Sequence, residues 1–267
     1  MEWFETLSHP LQASLASLFT WAITAAGAGM VFLFHHKNRF MLDAMLGIAA
    51  GVMVAASFWS LLSPAIDLAQ QLYGCPWKTA ALGFLLGGLF LFLADKMFDR
   101  LKHRLPQQAT HAGGLKRSIL LVFSITLHNI PEGMAIGVAF GSLQHNLEGA
   151  TLAAACLLAL GIGLQNFPEG SAISLPLRRE GLSALKSFFW GQMSGMVEPL
   201  AAVTGAYMAI HIRSALPLLL SFAAGAMIYV VVEELIPESQ SGSKPQIMAL
   251  FTLVGFTIMM VLDTALG

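Results

Sequence analysis

The chain has 267 residues, 56% of them hydrophobic and 11% charged, with a mean hydropathy of +0.71. A soluble domain carries roughly 25% charged residues, so this composition excludes a soluble globular domain and points to an all-α polytopic membrane protein. The formal net charge of −1 names no partner, because the charges are segregated by side, and nucleic acid is not expected as a ligand.

Apolar stretches of about 20 residues are long enough to cross a hydrocarbon core of roughly 30 Å. Eight such stretches are predicted, at 12–34, 41–62, 79–101, 118–141, 149–175, 184–210, 214–233 and 246–266. Together they form one transmembrane domain over 1–267, with no room for a soluble domain between them. The first follows the acidic Met1-Glu2-Trp3-Phe4-Glu5 rather than a basic leader, which predicts a retained helix and not a signal peptide. The third contains Gly83, Gly87 and Gly88 and the fifth Gly161 and Gly163, small residues that allow close helix approach in lipid.

The sizeable loop, about 102–117, holds His103 and His111 with Gln107, Gln108, Gly113 and Gly114, and reads as flexible and cytoplasmic. Its two histidines are a weak metal-binding signal. Twelve basic residues share one side: Lys37, Arg39, Lys96, Arg100, Lys102, Arg104, Lys116, Arg117, Arg178, Arg179, Lys186 and Lys244. Only Lys78 and Arg213 oppose them, so the positive-inside rule places both termini outside the cytoplasm, and the expected location is the cytoplasmic (inner) membrane. Cys75 and Cys156 are too far apart in this topology to suggest a disulfide, and neither has metal-finger spacing.

Two near-copies of one hexapeptide lie in the fourth and fifth stretches: His128-Asn129-Ile130-Pro131-Glu132-Gly133 and Gln165-Asn166-Phe167-Pro168-Glu169-Gly170. A charged side chain at the centre of a membrane helix costs about 2.5–3.5 kcal/mol even on lenient insertion scales, so each glutamate requires a partner. At about 100° per residue, Glu132 falls between His128 and Asn129 on the helix, and Glu169 between Gln165 and Asn166. Facing one another, the two wedges would let the glutamates bridge two cation positions, one lined by His128 and Gln165, the other by Asn129 and Asn166. Pro131 and Pro168 lack an N–H and free the carbonyls of Leu127 and Leu164, which is tolerated where the backbone lines a polar cavity.

Among eight histidines only His128 is well embedded in an apolar stretch. Imidazole, carboxylate and amide oxygen without thiolate suit Zn²⁺ and also Fe²⁺, Mn²⁺ or Cd²⁺, and disfavour Cu(I). In the sixth stretch Glu198, before Pro199, either completes the second position, serves as a proton site, or is satisfied by hydroxyls such as Ser194 and Thr204. Glu233, Glu234 and Glu238 close the seventh stretch around Pro237, as solvated helix-end groups or as an exit path. Asp67 and Asp263, near the outer surface, attract cations or act as solvated caps.

These residues resemble the ZIP (Zrt/Irt-like) metal transporters, in particular the bacterial GufA-like branch. The paired motifs carry the resemblance, supported by Ala56-Ser57-Phe58-Trp59-Ser60-Leu61-Leu62-Ser63-Pro64-Ala65 and by Val231-Val232-Glu233-Glu234-Leu235-Ile236-Pro237-Glu238. It implies eight helices in a 3+2+3 arrangement, the outer triplets related by inverted pseudosymmetry, with a midplane site and alternating access. It further implies a first metal position of His128, Glu132, Gln165 and Glu169 and a second of Asn129, Glu132, Asn166, Glu169 and Glu198. Two positions depart from the wider pattern: much of the family has His where Gln165 stands, and some members have an acidic residue in place of Asn166. The neutral amides predict less exclusive zinc binding and a weaker second position.

The expected function is import of divalent metal, zinc first, with metal ions and the lipid bilayer as partners and homodimer formation left open. Two other classes compete with it. An intramembrane metal-dependent hydrolase would need a base and an open coordination position, and the chain has no His-Glu-x-x-His helix. A proton-linked transporter of an organic substrate would use the same carboxylates as proton carriers.

Overall fold

In an apolar environment a helix satisfies its own backbone hydrogen bonds, and long apolar sequence therefore folds as helix. The computed structural model of the chain describes residues 2–33, 39–104, 112–145, 150–179 and 181–266; the side chain of His128 and most side chains of 98–125 lie outside that description. Among the described residues there is no strand. The helices are α1 (Glu2–Glu5), α2 (His9–Ala28), α3 (Met30–Leu33), α4 (Arg39–Ala56), α5 (Ser63–Tyr73), α6 (Pro76–Arg104) and α7 (Ala112–Ser142). They continue as α8 (Leu152–Arg179), α9 (Ala184–Ser194), α10 (Val197–His211), α11 (Leu216–Val230), α12 (Ile236–Gln240) and α13 (Pro245–Leu266).

Six continuous helical stretches are long and apolar enough to cross a membrane: His9–Leu33, Arg39–Tyr73, Pro76–Met97, Leu152–Arg178, Arg213–Gln240 and Pro245–Ala265. The expected span at 118–141 falls on α7, where side chains are only partly described. The expected span at 184–210 is not one helix. It breaks between α9 and α10, where Met196 N–H donates to Met193 O and Glu198 N–H to Gly195 O in tight turns. Pro199 cannot donate back to the Gly195 carbonyl, so the regular ladder has no continuation there.

Two other predicted boundaries move because proline does not end the helix. The stretch predicted to stop at 62 continues through a π-helical turn, Ser57–Leu62, into α5, and that predicted to stop at 233 continues through Val231–Leu235 into α12. In each the wider i→i+5 bond appears just before the proline: Ser63 N–H to Phe58 O, and Ile236 N–H to Val231 O. A π turn takes up the register that Pro64 and Pro237 would otherwise break. The predicted loop 102–117 is also shorter, since α6 extends to Arg104 and α7 begins at Ala112.

Four helix pairs carry the packing: α2 with α8, α4 with α13, α6 with α11, and α7 with α10. Glycine sets each crossing, and does so reciprocally. A Cβ on Gly27 would overlap Phe167 O and one on Gly170 would overlap Thr24 O; the same exchange joins Gly51 and Gly255 to Thr252 O and Ile48 O. Gly87 and Gly225 meet Phe222 O and Phe84 O, while Gly137 and Gly205 meet Ala202 O and Met134 O. Lipid tails are as apolar as leucine, so this backbone-to-backbone contact supplies the association that burial supplies in water. The spans at Arg39–Tyr73, Leu152–Arg178 and Arg213–Gln240 are 61% buried against 22% and 17% for those at Pro76–Met97 and Pro245–Ala265. The former are inner helices. The latter expose Leu85, Leu93, Leu250 and Leu253 to the surroundings.

Candidate metal centre

The repeated hexapeptides sit inside α7 and α8, with Pro131 and Pro168 accommodated within the helices. Their final glycines place the neighbouring helices. A Cβ on Gly133 would overlap the backbone of Glu198, and one on Gly170 the backbone of Thr24. Each glutamate is thus followed by the residue that admits another helix, α10 in one case and α2 in the other. Six polar side chains end up out of solvent: Asn129, Gln165, Asn166 and Glu198 at 0% exposure, Glu132 at 1% and Glu169 at 5%.

Their hydrogen bonds run in one direction. Gln165 Nε2 donates to Glu132 Oε1 at 2.5 Å, joining α8 to α7. Asn129 Nδ2 donates to Ser194 O at 3.0 Å, reaching the end of α9. Asn166 Nδ2 donates to Glu198 Oε1 at 2.9 Å and to Thr20 O at 3.4 Å, joining α8 to α10 and α2. Thr20 Oγ1 lies 2.5 Å from Glu198 Oε2, to which it donates.

What remains unpartnered is all oxygen: Asn129 Oδ1, Glu132 Oε2, Gln165 Oε1, Asn166 Oδ1 and Glu169 Oε2. One buried acceptor without a donor costs about 1–3 kcal/mol, so five amount to roughly 5–15 kcal/mol that the fold itself leaves uncompensated. Glu132, Glu169 and Glu198 also repel one another, and half-buried Glu234 is within electrostatic reach of Glu169. Only a positive charge satisfies acceptors and carboxylates together. Among the described residues no three His, Cys, Asp or Glu side chains form a ready-made metal cage. A cation held here therefore needs the amide oxygens beside the two glutamates.

Apolar layers lie to either side along the helices. Toward one end, Ile173 and Leu177 of α8 are buried with Val122 of α7 and Leu182 packed on them. The end of α8 is closed by a Schellman turn: Gly181 has φ of 96°, its N–H donates to Arg178 O, and Leu182 N–H donates to Leu177 O at 3.2 Å. Toward the other end, buried Met53, Ile136, Leu158 and Ile162 separate the oxygens from a cavity of about 240 Å³. Trp59, Ser60, Ser63, Asp67, Thr151 and Asp263 are among its lining residues. Asp263 Oδ1 accepts from Ser60 Oγ at 2.8 Å, while its Oδ2 is unpartnered.

The structure brings Asn129, Glu132, Gln165, Asn166, Glu169 and Glu198 together, as the helical angles and the motif pairing anticipate. The His128 imidazole, together with His103 and His111, lies outside the described side chains. Glu198 is not satisfied by Ser194 or Thr204, whose hydroxyls donate to Gly191 O and Leu200 O. Thr20 takes that role, and no local signal marks it, since it lies 178 residues away in an amphipathically featureless helix. Glu233 and Glu238 are exposed, and Cys75 and Cys156 are free thiols.

Comparison with known proteins agrees with this site. The family model described as ZIP zinc transporter matches residues 108–263. The chain is 39% identical to zinc transporter ZIP11 of Xenopus tropicalis, covering 97% of this chain and 98% of the relative. It is 38% identical to zinc transporter GufA of Myxococcus xanthus over 95% of this chain and 98% of that protein. Against zinc transporter ZIPB of Bordetella bronchiseptica it is also 38% identical, over 98% of this chain and 84% of the relative. The chain is a multi-pass membrane protein and belongs to the ZIP zinc transporter family.

Proposed function

We propose that this protein imports divalent transition-metal cations into the cytoplasm, zinc first and Fe²⁺, Mn²⁺ or Cd²⁺ as further substrates, through the centre between α7 and α8. The observation that carries the proposal is the set of five buried, unpartnered oxygens on Asn129, Glu132, Gln165, Asn166 and Glu169. Each of the three amides has its nitrogen committed to a carbonyl or a carboxylate, so its oxygen is the atom left for a cation. His128, one turn from Glu132 on α7, adds an imidazole and tunes the choice of metal. The relatives' names as zinc transporters support zinc as cargo and weigh against the hydrolase reading.

Eight spans crossing the inner membrane, both termini outside, follow if α7 and the α9–α10 pair each count as one. Numbering the spans in order, α2 and α8 are the first and fifth, α7 and α10 the fourth and sixth, α4 and α13 the second and eighth, and α6 and α11 the third and seventh. Exchanging first with sixth, second with seventh, third with eighth and fourth with fifth turns each close pair into another close pair. The π turns before Pro64 and Pro237 exchange as well. This supports a 3+2+3 inverted repeat around a midplane site, the architecture that performs alternating access. The apolar layers on both sides of the oxygens are the barriers that such a cycle opens in turn.

The test is radiolabelled zinc uptake by cells or vesicles containing the protein. Glu132→Ala with Glu169→Ala abolishes uptake while leaving surface expression intact. Uptake by that double variant at the wild-type rate overturns the proposal.

A further inference from the structure

We infer that Thr20 and Glu198 are positioning residues that hold the Asn166 amide with its oxygen, not its nitrogen, toward the transported cation. The inference rests on the metal centre proposed above and assigns a task to two side chains behind it.

A carboxamide presents either an acceptor or two donors to a cavity, and only its surroundings decide which. At Asn166 the surroundings supply two acceptors: Glu198 Oε1 at 2.9 Å and Thr20 O at 3.4 Å. Both accept from Nδ2, and Oδ1 is left without a partner. Rotating the amide by half a turn would set Oδ1 against a carboxylate and a carbonyl and would aim N–H groups at the cation. Two repulsions replace two hydrogen bonds, so the orientation is locked as long as Glu198 stays in place.

Glu198 differs from the other two buried glutamates. Glu132 and Glu169 each leave Oε2 unpartnered, whereas Glu198 has both oxygens engaged, Oε1 by Asn166 and Oε2 by Thr20 Oγ1 at 2.5 Å. Three helices meet at this carboxylate. Its place in the first turn of α10 is fixed by the close approach of Gly133, and Thr20 of α2 is brought in by the reciprocal crossing of Gly27 and Gly170. Partners of this kind behind a metal ligand typically account for 10- to 100-fold in affinity. Thr20 is thus the far end of a relay, Thr20 to Glu198 to Asn166, that selects the donor atom.

Conservative variants separate positioning from direct ligation. Thr20→Ser and Glu198→Gln keep the relay: in the latter the new amide oxygen accepts from Asn166, and its nitrogen donates to Thr20 Oγ1, which turns its own proton to Ser17 O at 3.0 Å. Thr20→Val and Glu198→Leu break it. Zinc uptake is measured for each variant, normalised to protein at the surface, with KM and maximal rate reported separately. The expected result is a KM about tenfold higher for Thr20→Val and Glu198→Leu, and within about threefold of wild type for Thr20→Ser and Glu198→Gln. In an Asn166→Ala background Thr20→Val adds nothing further, because the group it acts through is gone.

If Glu198→Gln is as damaging as Glu198→Leu, the carboxylate charge itself is what matters and the inference is overturned. A tenfold effect of Thr20→Val that persists in Asn166→Ala overturns it too, by showing an effect that does not pass through the amide. Both results leave the metal centre standing so long as Glu132→Ala with Glu169→Ala still abolishes uptake. Wild-type uptake in that double variant removes the centre, and this inference with it.

Discussion

Replacing Glu132 by Gln should make the metal-free protein more stable while removing its response to zinc. The substitution keeps an oxygen to accept from Gln165 Nε2, the 2.5 Å bond between α8 and α7. It converts the unpartnered Oε2 into an N–H donor in a centre whose other unpartnered atoms are oxygens of Asn129, Gln165, Asn166 and Glu169. Satisfying one buried acceptor returns about 1–3 kcal/mol. At about 2–4 °C per kcal/mol for a chain of this size, the melting temperature in chelator rises by roughly 2–12 °C. Wild-type protein at a zinc concentration one hundred times its Kd gains about 2.7 kcal/mol, roughly 5–11 °C, and the variant gains little. The assay is thermal unfolding of purified protein in detergent with chelator and with graded zinc. A variant that melts below wild type in chelator, or that keeps the full zinc response, refutes the reasoning that the unpartnered oxygens exist for a cation.

Three other outcomes follow from single features. Gly87→Ala places a methyl against Phe222 O and destabilises by about 1–3 kcal/mol, whereas Gly88→Ala, whose nearest neighbour is Gly225 O at 3.7 Å, is neutral or stabilises by up to about 1 kcal/mol; melting in chelator checks both. Thr151→Ala loses the N-terminal cap of α8, the 3.0 Å bond from Ala154 N–H to Thr151 Oγ1, and lowers stability by about 1 kcal/mol in the same assay. Carboxylate and imidazole ligands bind metal only when deprotonated, so the zinc Kd rises from neutral to acidic pH, and calorimetry that finds it flat contradicts the ligand set.

The sequence foretells the centre well because its ingredients are local. Spacing within a helix puts Glu169 between Gln165 and Asn166 whatever the rest of the chain does, and a repeat of the hexapeptide supplies the facing half. It foretells the helix ends poorly because proline is ambiguous from sequence. At Pro64 and Pro237 a π turn carries the helix onward, while at Pro199 the turns at Met196 and Glu198 break it, and the difference lies in what packs around each. Thr20 is illegible for another reason. Its partner is 178 residues away, and a threonine in an apolar helix commonly bonds its own backbone, as Thr24 Oγ1 does with Thr20 O. Glycine gives a mixed case: Gly87 and Gly88 are adjacent and look alike, yet only Gly87 lies against a neighbouring backbone.

The hexapeptide reads best as a unit in which proline, glutamate and glycine answer one another. The glutamate brings a charge that no apolar helix can hold alone. Glycine directly after it removes the side chain that would keep another helix away, and so α10 reaches Gly133 and α2 reaches Gly170. Those two helices then deliver the groups that orient the amides, Ser194 O and Glu198 from the α9–α10 region and Thr20 from α2. The charge thus sits one residue from the contact that assembles its surroundings. A glycine substitution in either motif acts on the centre through helix spacing, and its effect on zinc affinity and on melting should move together, whereas loss of a glutamate separates them.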